Sequence, residues 1–273
     1  MCSHFSVTRA GFYAWCNRAP SARSLEDACL VEQVRQVHRT HGNIYGAPRV
    51  RAGLRERGFF LGQRRVARLM RQAHLQGRSA RIYRHSRTGS KAFFTSVPNR
   101  CKDFVPTAPD QLWVGDVTYL KVLGTWRYLA VVMDRFSRRV VGWSLSHRRD
   151  AALTTTALQY AARRRKPSSP VIFHSDRGIE YAAHHYKAAI AKLRFTQSMN
   201  RPGKMNDNAH MESFFHSLKS EFLFGKTFHT DQDLRQALTH YMPFYNQQRL
   251  HSSIGYLSPL NFEIIHAHQS GVN

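Results

Sequence analysis

Three carboxylates stand in sequence surroundings that give each one a chemical use. Asp116 lies in the strand-like run Trp113-Val114-Gly115-Asp116-Val117-Thr118-Tyr119-Leu120, and Asp176 ends the apolar run Val171-Ile172-Phe173-His174-Ser175-Asp176. Glu212 lies in a helical segment opened by Asn206-Asp207-Asn208-Ala209, with 35 residues between it and Asp176. Acids drawn from two strands and a helix make a cage of hard oxygen donors, the kind that suits Mg²⁺ together with water and phosphate oxygens. On a chain with a formal net charge of +24, those phosphates are expected to belong to nucleic acid. The chemistry this predicts is phosphodiester cleavage or exchange on DNA.

The elements that must position these acids can be read from periodicity. Leu112 to Val122, Tyr128 to Met133 and Val140 to Leu145 are rich in β-branched and aromatic residues and read as three strands. A helix is expected over 150–164, a short buried strand over 171–173, a helix over 181–193 and a strand over 195–199, with helical segments from Asn206 to about Tyr245. Three consecutive strands followed by alternation imply an α/β mixed sheet flanked by helices. Strand alternation puts Asp116 on the face of Val114 and Thr118. Asp176 falls just past a strand end, where open sheets commonly hold ligands. Glu212 and Lys219, seven residues apart or about 700° of helix, share a face with Asn208 and His216. Phe214, Phe215, Leu218 and Phe222 form the opposite, buried side. Asp134 also ends an apolar run, but its polar turn suits an Asx-type role, and Asp207 suits a helix start.

Upstream, residues 1–75 read as a small all-α region. Leu30, Val34 and Val37 mark one amphipathic helix. A second runs from Ala47 to Arg57 and stops at Gly58; a third covers Gln63 to about Ala73, with Val66, Leu69 and Met70 inward. Two short helices joined by a Gly-containing turn have the form of a helix-turn-helix. Arg64, Arg65, Arg68 and Arg71 occupy the faces left by the third helix's apolar stripe, as a helix contacting DNA requires. Residues 1–100 carry 19 Arg or Lys against 4 acids, a net of +15, and residues 101–273 carry 22 against 13, a net of +9. Nearly all the cations of the first segment are arginine, whose planar fork suits phosphates and guanine edges. Residues 76–109 read as a basic linker, 110–265 as the catalytic core with a C-terminal helical extension, and 266–273 as a tail.

Other classes are excluded by composition. A 42% hydrophobic chain of 273 residues is not wholly disordered, and no apolar run approaches the roughly 18 residues of a membrane span. Met1-Cys2-Ser3-His4-Phe5-Ser6 lacks the apolar stretch of a secretory signal, so the expectation is a soluble, cytoplasmic, nucleoid-associated protein without membrane partners. Four scattered cysteines with no CxxC pair favour neither a disulfide framework nor a compact zinc finger.

These residues carry a family resemblance. The core resembles the catalytic domain of retroviral integrases, and more closely the second-reading-frame (OrfB-type) transposases of bacterial insertion sequences. The matching runs are Trp113 to Tyr119, His174-Ser175-Asp176-Arg177-Gly178, and Asp207-Asn208-Ala209 leading to Glu212-Ser213-Phe214-Phe215. Tyr245-Asn246-Gln247-Gln248-Arg249-Leu250-His251, with Gly255-Tyr256 and Ser258-Pro259, resembles their C-terminal signature. The resemblance implies an RNase H-like fold and a DDE triad of Asp116, Asp176 and Glu212 holding two Mg²⁺ ions, with Mn²⁺ as a substitute. It implies hydrolysis at an element end and strand transfer by the exposed 3′-hydroxyl, with Lys219 on a DNA phosphate. It also implies an upstream first-frame (OrfA) partner, in some relatives fused by frameshifting, and a homo-oligomer on DNA. The zinc-binding His/Cys module of retroviral integrases has no counterpart here. Two other classes remain open at this level: a nuclease of the same fold that does not join strands, and a non-catalytic DNA-binding regulator.

Overall fold

The computed structural model describes residues 2, 4–78, 96–202, 208–269 and 271. The chain divides after Arg78 into two units.

The first unit is helical: α1 (Arg9–Cys16), α2 (Ala22–Thr40), α3 (Ala47–Glu56) and α4 (Gln63–Gln72). Ser21 starts α2, its hydroxyl accepting the Ser24 N–H at 3.2 Å. Gly58, at φ +84°, ends α3 and lets the Phe59 N–H return to the Leu54 carbonyl at 2.9 Å. Val34, Val37, Tyr45, Val50, Leu54, Val66 and Leu69 are fully buried and make one small core. A Cβ on Gly53 would stand 2.8 Å from Val37 Cγ1, so this glycine permits the close approach of α3 to α2.

The second unit is built on a sheet of strand order β3-β2-β1-β4-β5. Its strands are β1 (Leu112–Val122), β2 (Thr125–Asp134), β3 (Val140–Ser146), β4 (Ile172–Ser175) and β5 (Thr196–Met199). The first three form an antiparallel meander, and β4 and β5 run parallel to β1. Leu123 and Gly124, both at positive φ (43° and 81°), make the two-residue turn between β1 and β2, whose hand matches the twist of the strands. This is the RNase H-like mixed sheet expected above. One face packs Trp113, Val117, Val132 and Phe173 under α5 (Ala151–Arg165) and α7 (His184–Lys192). The other packs Val114, Leu120 and Val131 under α8 (Ala209–Ser217) and α9 (Asp231–Gln247).

Three expectations change in detail. The helix expected over 181–193 is two: α6 (Ile179–Ala182) and α7 separate at Ala183, which is extended at φ −62°, ψ 145°. The helical stretch from Asn206 is interrupted as well. After α8 comes a π-helix (Leu218–Leu223), then Gly225 at φ +76°, and α9 restarts at a Thr230–Asp233 capping box. Asp207, read as a helix start, lies outside the described residues. Finally, the described parts of the basic stretch 76–109 belong to the two units themselves. Arg78 N–H bonds the Ile44 carbonyl at 3.1 Å, while Cys101 is buried and Arg100 N–H bonds Ser198 Oγ at 2.9 Å. A last helix, α10 (Pro259–Gln269), closes over the β2–β3 turn.

Asp134 is fully buried in that turn. Its Oδ1 accepts the Ser137 N–H (2.8 Å) and lies 3.0 Å from the Ser137 hydroxyl, and its Oδ2 accepts the Asp110 N–H at 2.6 Å. Burial pushes its pKa up to about 6, against the hydrogen bonds from Ser137 and Asp110. A carboxyl raised in the folded state holds its proton more tightly there than in the unfolded chain. Its contribution to stability is therefore present at pH 4 and is lost as the pH rises through about 6. Across the full titration, from below the ordinary value of 3.8 to above about 6, the loss is on the order of 3 kcal/mol. Urea unfolding between pH 4 and 7 should show this decline, and Asp134→Asn should remove it; an unchanged slope in the variant would assign the decline to other groups.

Candidate active site

β4 is only four residues long and pairs with β1 from Leu112↔Ile172 to Gly115↔Ser175. The residue after each end of this pairing is an acid, so Asp116, within β1, and Asp176, just past the end of β4, lie side by side where the two strands part. Both are half-buried. Asp116 Oδ1 accepts its neighbour's N–H, from Val117, at 2.7 Å; Asp176 Oδ1 accepts the Gly178 N–H at 3.0 Å. Gly115 cannot carry a side chain, because a Cβ would come 2.5 Å from Phe173 Cζ and 3.4 Å from Tyr181 Oη.

The residues around Asp176 fix its loop. His174 is fully buried between Ser198 Oγ (2.9 Å from Nδ1) and Asn200 Oδ1 (2.8 Å from Nε2). With Nε2–H donated to the amide oxygen, Nδ1 takes the serine hydroxyl proton, and both ring nitrogens are satisfied. Arg177 donates Nε–H to the Asn200 carbonyl at 2.7 Å. His174 and Arg177 thus tie β4 to β5 rather than face a ligand.

A fourth acid, missed by the sequence reading, lies beneath this loop. Glu180 is buried, and its Oε1 accepts both Nε–H and Nη2–H of Arg149, at 2.9 and 2.7 Å. Burial pulls the Arg149 pKa down, but Glu180, then Asp176 and Asp116, outweigh it and raise it. Tyr181 is raised well above its usual value, first by burial and next by Asp116, with Asp176 and Glu180 adding to it. One electrostatic neighbourhood therefore holds Asp116, Asp176, Glu180, Arg149 and Tyr181.

Glu212 comes from α8, in whose first turn it is exposed. The start of that helix is anchored to β1: Asn208 Nδ2 donates to the Gly115 carbonyl at 3.1 Å. This contact is possible because β4 stops at Ser175 and leaves that edge of β1. Arg138 donates to His210 Nδ1 at 3.2 Å, and burial together with Arg138 and Arg135 lowers His210 to about 4, so it accepts as a neutral ring. The glutamate's carboxylate does not close on the aspartates: among the described residues no three His, Cys, Asp or Glu form a metal-ligating group. The donor set nonetheless fits a hard divalent ion. Two adjacent carboxylates share the site with Asn208 Oδ1, a buried oxygen without a hydrogen-bond partner.

Lys219 sits in the π-helix, where the wider turn alters the α-helical phase expected between it and Glu212. Its Nζ lies 4.6 Å over the ring of Tyr119 on β1. The C-terminal signature proves to be the clamp on this turn. Buried Arg249 gives Nε–H and Nη2–H to the two oxygens of Glu221, both at 2.7 Å, and Nη2 also reaches Ser217 Oγ at 2.8 Å. Asn246 bonds both the N–H and the C=O of Val140, each at 2.8 Å, and so satisfies the edge strand β3.

In the helical unit the four arginines of α4 divide. Arg65, only 22% exposed, bonds Asp27 at 2.9 Å and Glu26 at 2.8 Å, and Arg68 bonds Asp27 at 2.5 Å. The Arg68 hydrogen bond leads the effects that lower the Asp27 carboxyl below its usual range. Arg65 is therefore turned onto α2 rather than outward as expected. Arg64 and Arg71 are exposed.

Two aspartates thus stand side by side where β1 and β4 part, with a glutamate on a helix anchored to β1, and comparison with known proteins gives the family. The integrase core domain matches residues 106–205 and, in a second form, 193–259; an HTH-like domain matches 24–83. The HTLV-2 integrase catalytic core domain in complex with magnesium is similar at a TM-score of 0.45 and 17% identity, over 57% of this chain and 98% of that one. The transposase InsF for insertion sequence IS3A of Escherichia coli (strain K12) is 38% identical over 273 residues, covering 96% of this chain and 92% of its own. The insertion element IS600 uncharacterized 31 kDa protein of Shigella sonnei is 36% identical over 264 residues, covering 96% and 97%. The chain belongs to the IS3-family transposases, and its activity is that of a DNA polynucleotidyl transferase. Among the described residues no helix is long and apolar enough to cross a membrane.

The Arg249–Glu221 pair can be tested directly. Arg249→Met leaves a buried carboxylate unpaired and should destabilise the second unit by about 3–5 kcal/mol, whereas the double variant with Glu221→Leu should recover most of that loss. Denaturant midpoints decide it; equal losses in the single and double variants would mean the pair does not hold the turn.

Proposed function

We propose that Asp116, Asp176 and Glu212 hold two Mg²⁺ ions, replaceable by Mn²⁺, and that these residues catalyse hydrolysis at an element end followed by strand transfer. The observation that supports this reading is the β1–β4 register, which brings Asp176, just past the end of β4, beside Asp116 within β1. When bound, such ions activate the attacking oxygen and stabilise the leaving one. The chain's own residues supply the rest. Each aspartate has one oxygen oriented by a backbone N–H, which aims the carboxylate before any ligand arrives. Glu212 completes the donor set from α8. Phe173 and Tyr181 back Gly115 and keep water from behind the site. Arg149 offsets the accumulated negative charge of the carboxylates. Lys219 presents a point charge to a DNA phosphate beside the scissile position.

The helical unit is proposed to bind DNA through Arg64 and Arg71, with Arg68 shared between DNA and Asp27 and Arg65 retained as a structural cation. The family resemblance supports action with a first-frame (OrfA) protein, separate or fused by frameshifting, and assembly as a homo-oligomer on the element ends, on the nucleoid within the cytoplasm.

Asp116→Asn, Asp176→Asn and Glu212→Gln should each reduce cleavage and strand transfer to background while leaving DNA affinity and folding intact, since amides keep the shape and lose the charge. Oligonucleotide cleavage and joining assays read this; near-normal turnover in any one variant removes that residue from the site.

DNA affinity should fall with salt at a log–log slope near −5, for about six neutralised phosphates. Replacing Arg64 or Arg71 with Ala should cost about 1–3 kcal/mol on element-end DNA if the side chain reads a base, or make the salt slope shallower by about one if it holds a phosphate. Arg65→Ala should act on the unit's thermal stability instead. Binding isotherms at several salt concentrations that leave Arg64→Ala and Arg71→Ala unchanged would move the interface off α4.

A further inference from the structure

The hairpin of β1 and β2 carries two aromatic side chains that the sheet does not bury. Tyr119 is 38% exposed and Trp126 44%, with ring centroids 5.0 Å apart at an interplanar angle of 86°. A lysine stands over each ring: Lys121 Nζ is 4.8 Å from the Trp126 centroid, and Lys219 Nζ is 4.6 Å from that of Tyr119. Lys121 and Trp126 are direct cross-strand partners, and Tyr119 lies two residues back on the same face of β1.

The patch is placed in relation to the carboxylates by three facts. Tyr119 follows Asp116 by three residues, roughly 10 Å along a strand. That distance spans about three stacked nucleotides at 3.4 Å each. From Asp116 onward, the edge of β1 that faced β4 pairs with no strand among the described residues. Finally, Lys219 belongs to the π-helix, whose Leu218 packs on the Asp116 face of the sheet, whereas Tyr119 lies by alternation on the other face. Their contact wraps the patch around the open edge, which leads from the carboxylates to the two rings.

We propose that Tyr119, Trp126, Lys121 and Lys219 form a stacking site for an unpaired nucleotide of the DNA strand that reacts at Asp116 and Asp176. The proposal rests on the DNA reading above. Aromatic faces flanked by cations are the surface that holds single-stranded nucleic acid: every base has a face to stack, and the ammonium groups meet the phosphates on either side. A paired duplex offers its outer surface as phosphate and sugar, with its base faces already stacked on one another, so the rings favour a strand whose end is frayed or splayed. The platform is stiff. Its two-residue turn is tied to the body by the Leu123 N–H bond to the Phe228 carbonyl at 3.1 Å, so little ordering opposes binding.

The competing role for the same rings is a cross-strand staple that only stabilises the hairpin. The test compares two DNAs of one sequence with the full chain: a blunt duplex, and a duplex ending in a four-nucleotide single-stranded tail carrying 2-aminopurine at each tail position in turn. The wild-type chain should quench 2-aminopurine at one or two tail positions. Tyr119→Ala and Trp126→Ala should abolish that quenching and weaken binding of the tailed DNA by roughly tenfold, within a range of about 5- to 150-fold, with less than about twofold change on the blunt duplex. Trp126→Tyr keeps an aromatic pair in the hairpin and should retain the quenching, which guards against a simple loss of folding. Equal losses on both DNAs, or no quenched position with the wild-type chain bound, overturn the stacking site and leave the DNA reading standing. Binding of neither DNA by the wild-type chain overturns both.

Discussion

The short pairing of β4 with β1 is the constraint from which the functional half of the molecule follows. Because the two strands run parallel and part after Gly115 and Ser175, the acids that come next are neighbours without being sequence neighbours. The same parting leaves the Gly115 carbonyl for Asn208, and that bond carries α8 and Glu212 to the site. It also leaves the far part of β1 without a strand on that side, which is where Lys219 reaches Tyr119. A longer β4 in the same register would keep the two acids adjacent but take up the Gly115 carbonyl and cover the far edge of β1.

A second principle runs through both units: a buried acid is answered by an arginine. Glu180 meets Arg149, Glu221 meets Arg249, Asp27 meets Arg65 and Arg68, and Glu263 meets Arg139 and Arg165. A lone carboxylate in such places is costly, and the guanidinium fork satisfies two lone pairs at once. The consequence bears on how the net charge of +24 is read. Part of the arginine content is structural, and the cationic surface offered to DNA is smaller than composition suggests. Asp134 is the exception that supports the rule. It is held by backbone N–H groups and a hydroxyl, and its carboxyl is displaced upward.

Much of the architecture was legible from local pattern. Alternation in Val114-Gly115-Asp116-Val117-Thr118 places Asp116 on the α8 face, and the apolar stripes of α2, α3 and α4 match their buried residues. The Asx role of Asp134 was legible too, because its hydrogen bond to Ser137 spans three residues. The motifs around Asp116, Asp176 and Glu212 marked the family before any geometry was known. These features depend on neighbours in the chain, and a sequence records neighbours in the chain directly.

What the tertiary structure alone decided are relations across long separations. Nothing near Arg65 announces Asp27, 38 residues earlier, and nothing near Glu180 announces Arg149. Helical periodicity says that Arg65 avoids the core stripe, but not that an acid on another helix will claim it. The C-terminal signature was visible as a pattern, yet its purpose, Arg249 clamping Glu221 in a π-helix, depends on the packing of α9 against that turn. The sequence by itself determined which residues are acids, which segments are strands and which helices, and which family they belong to, because these follow from side-chain chemistry and local spacing. The tertiary structure decided which charges meet, since a charge pair is set by how the chain returns on itself, and that return is governed by the packing of the whole core.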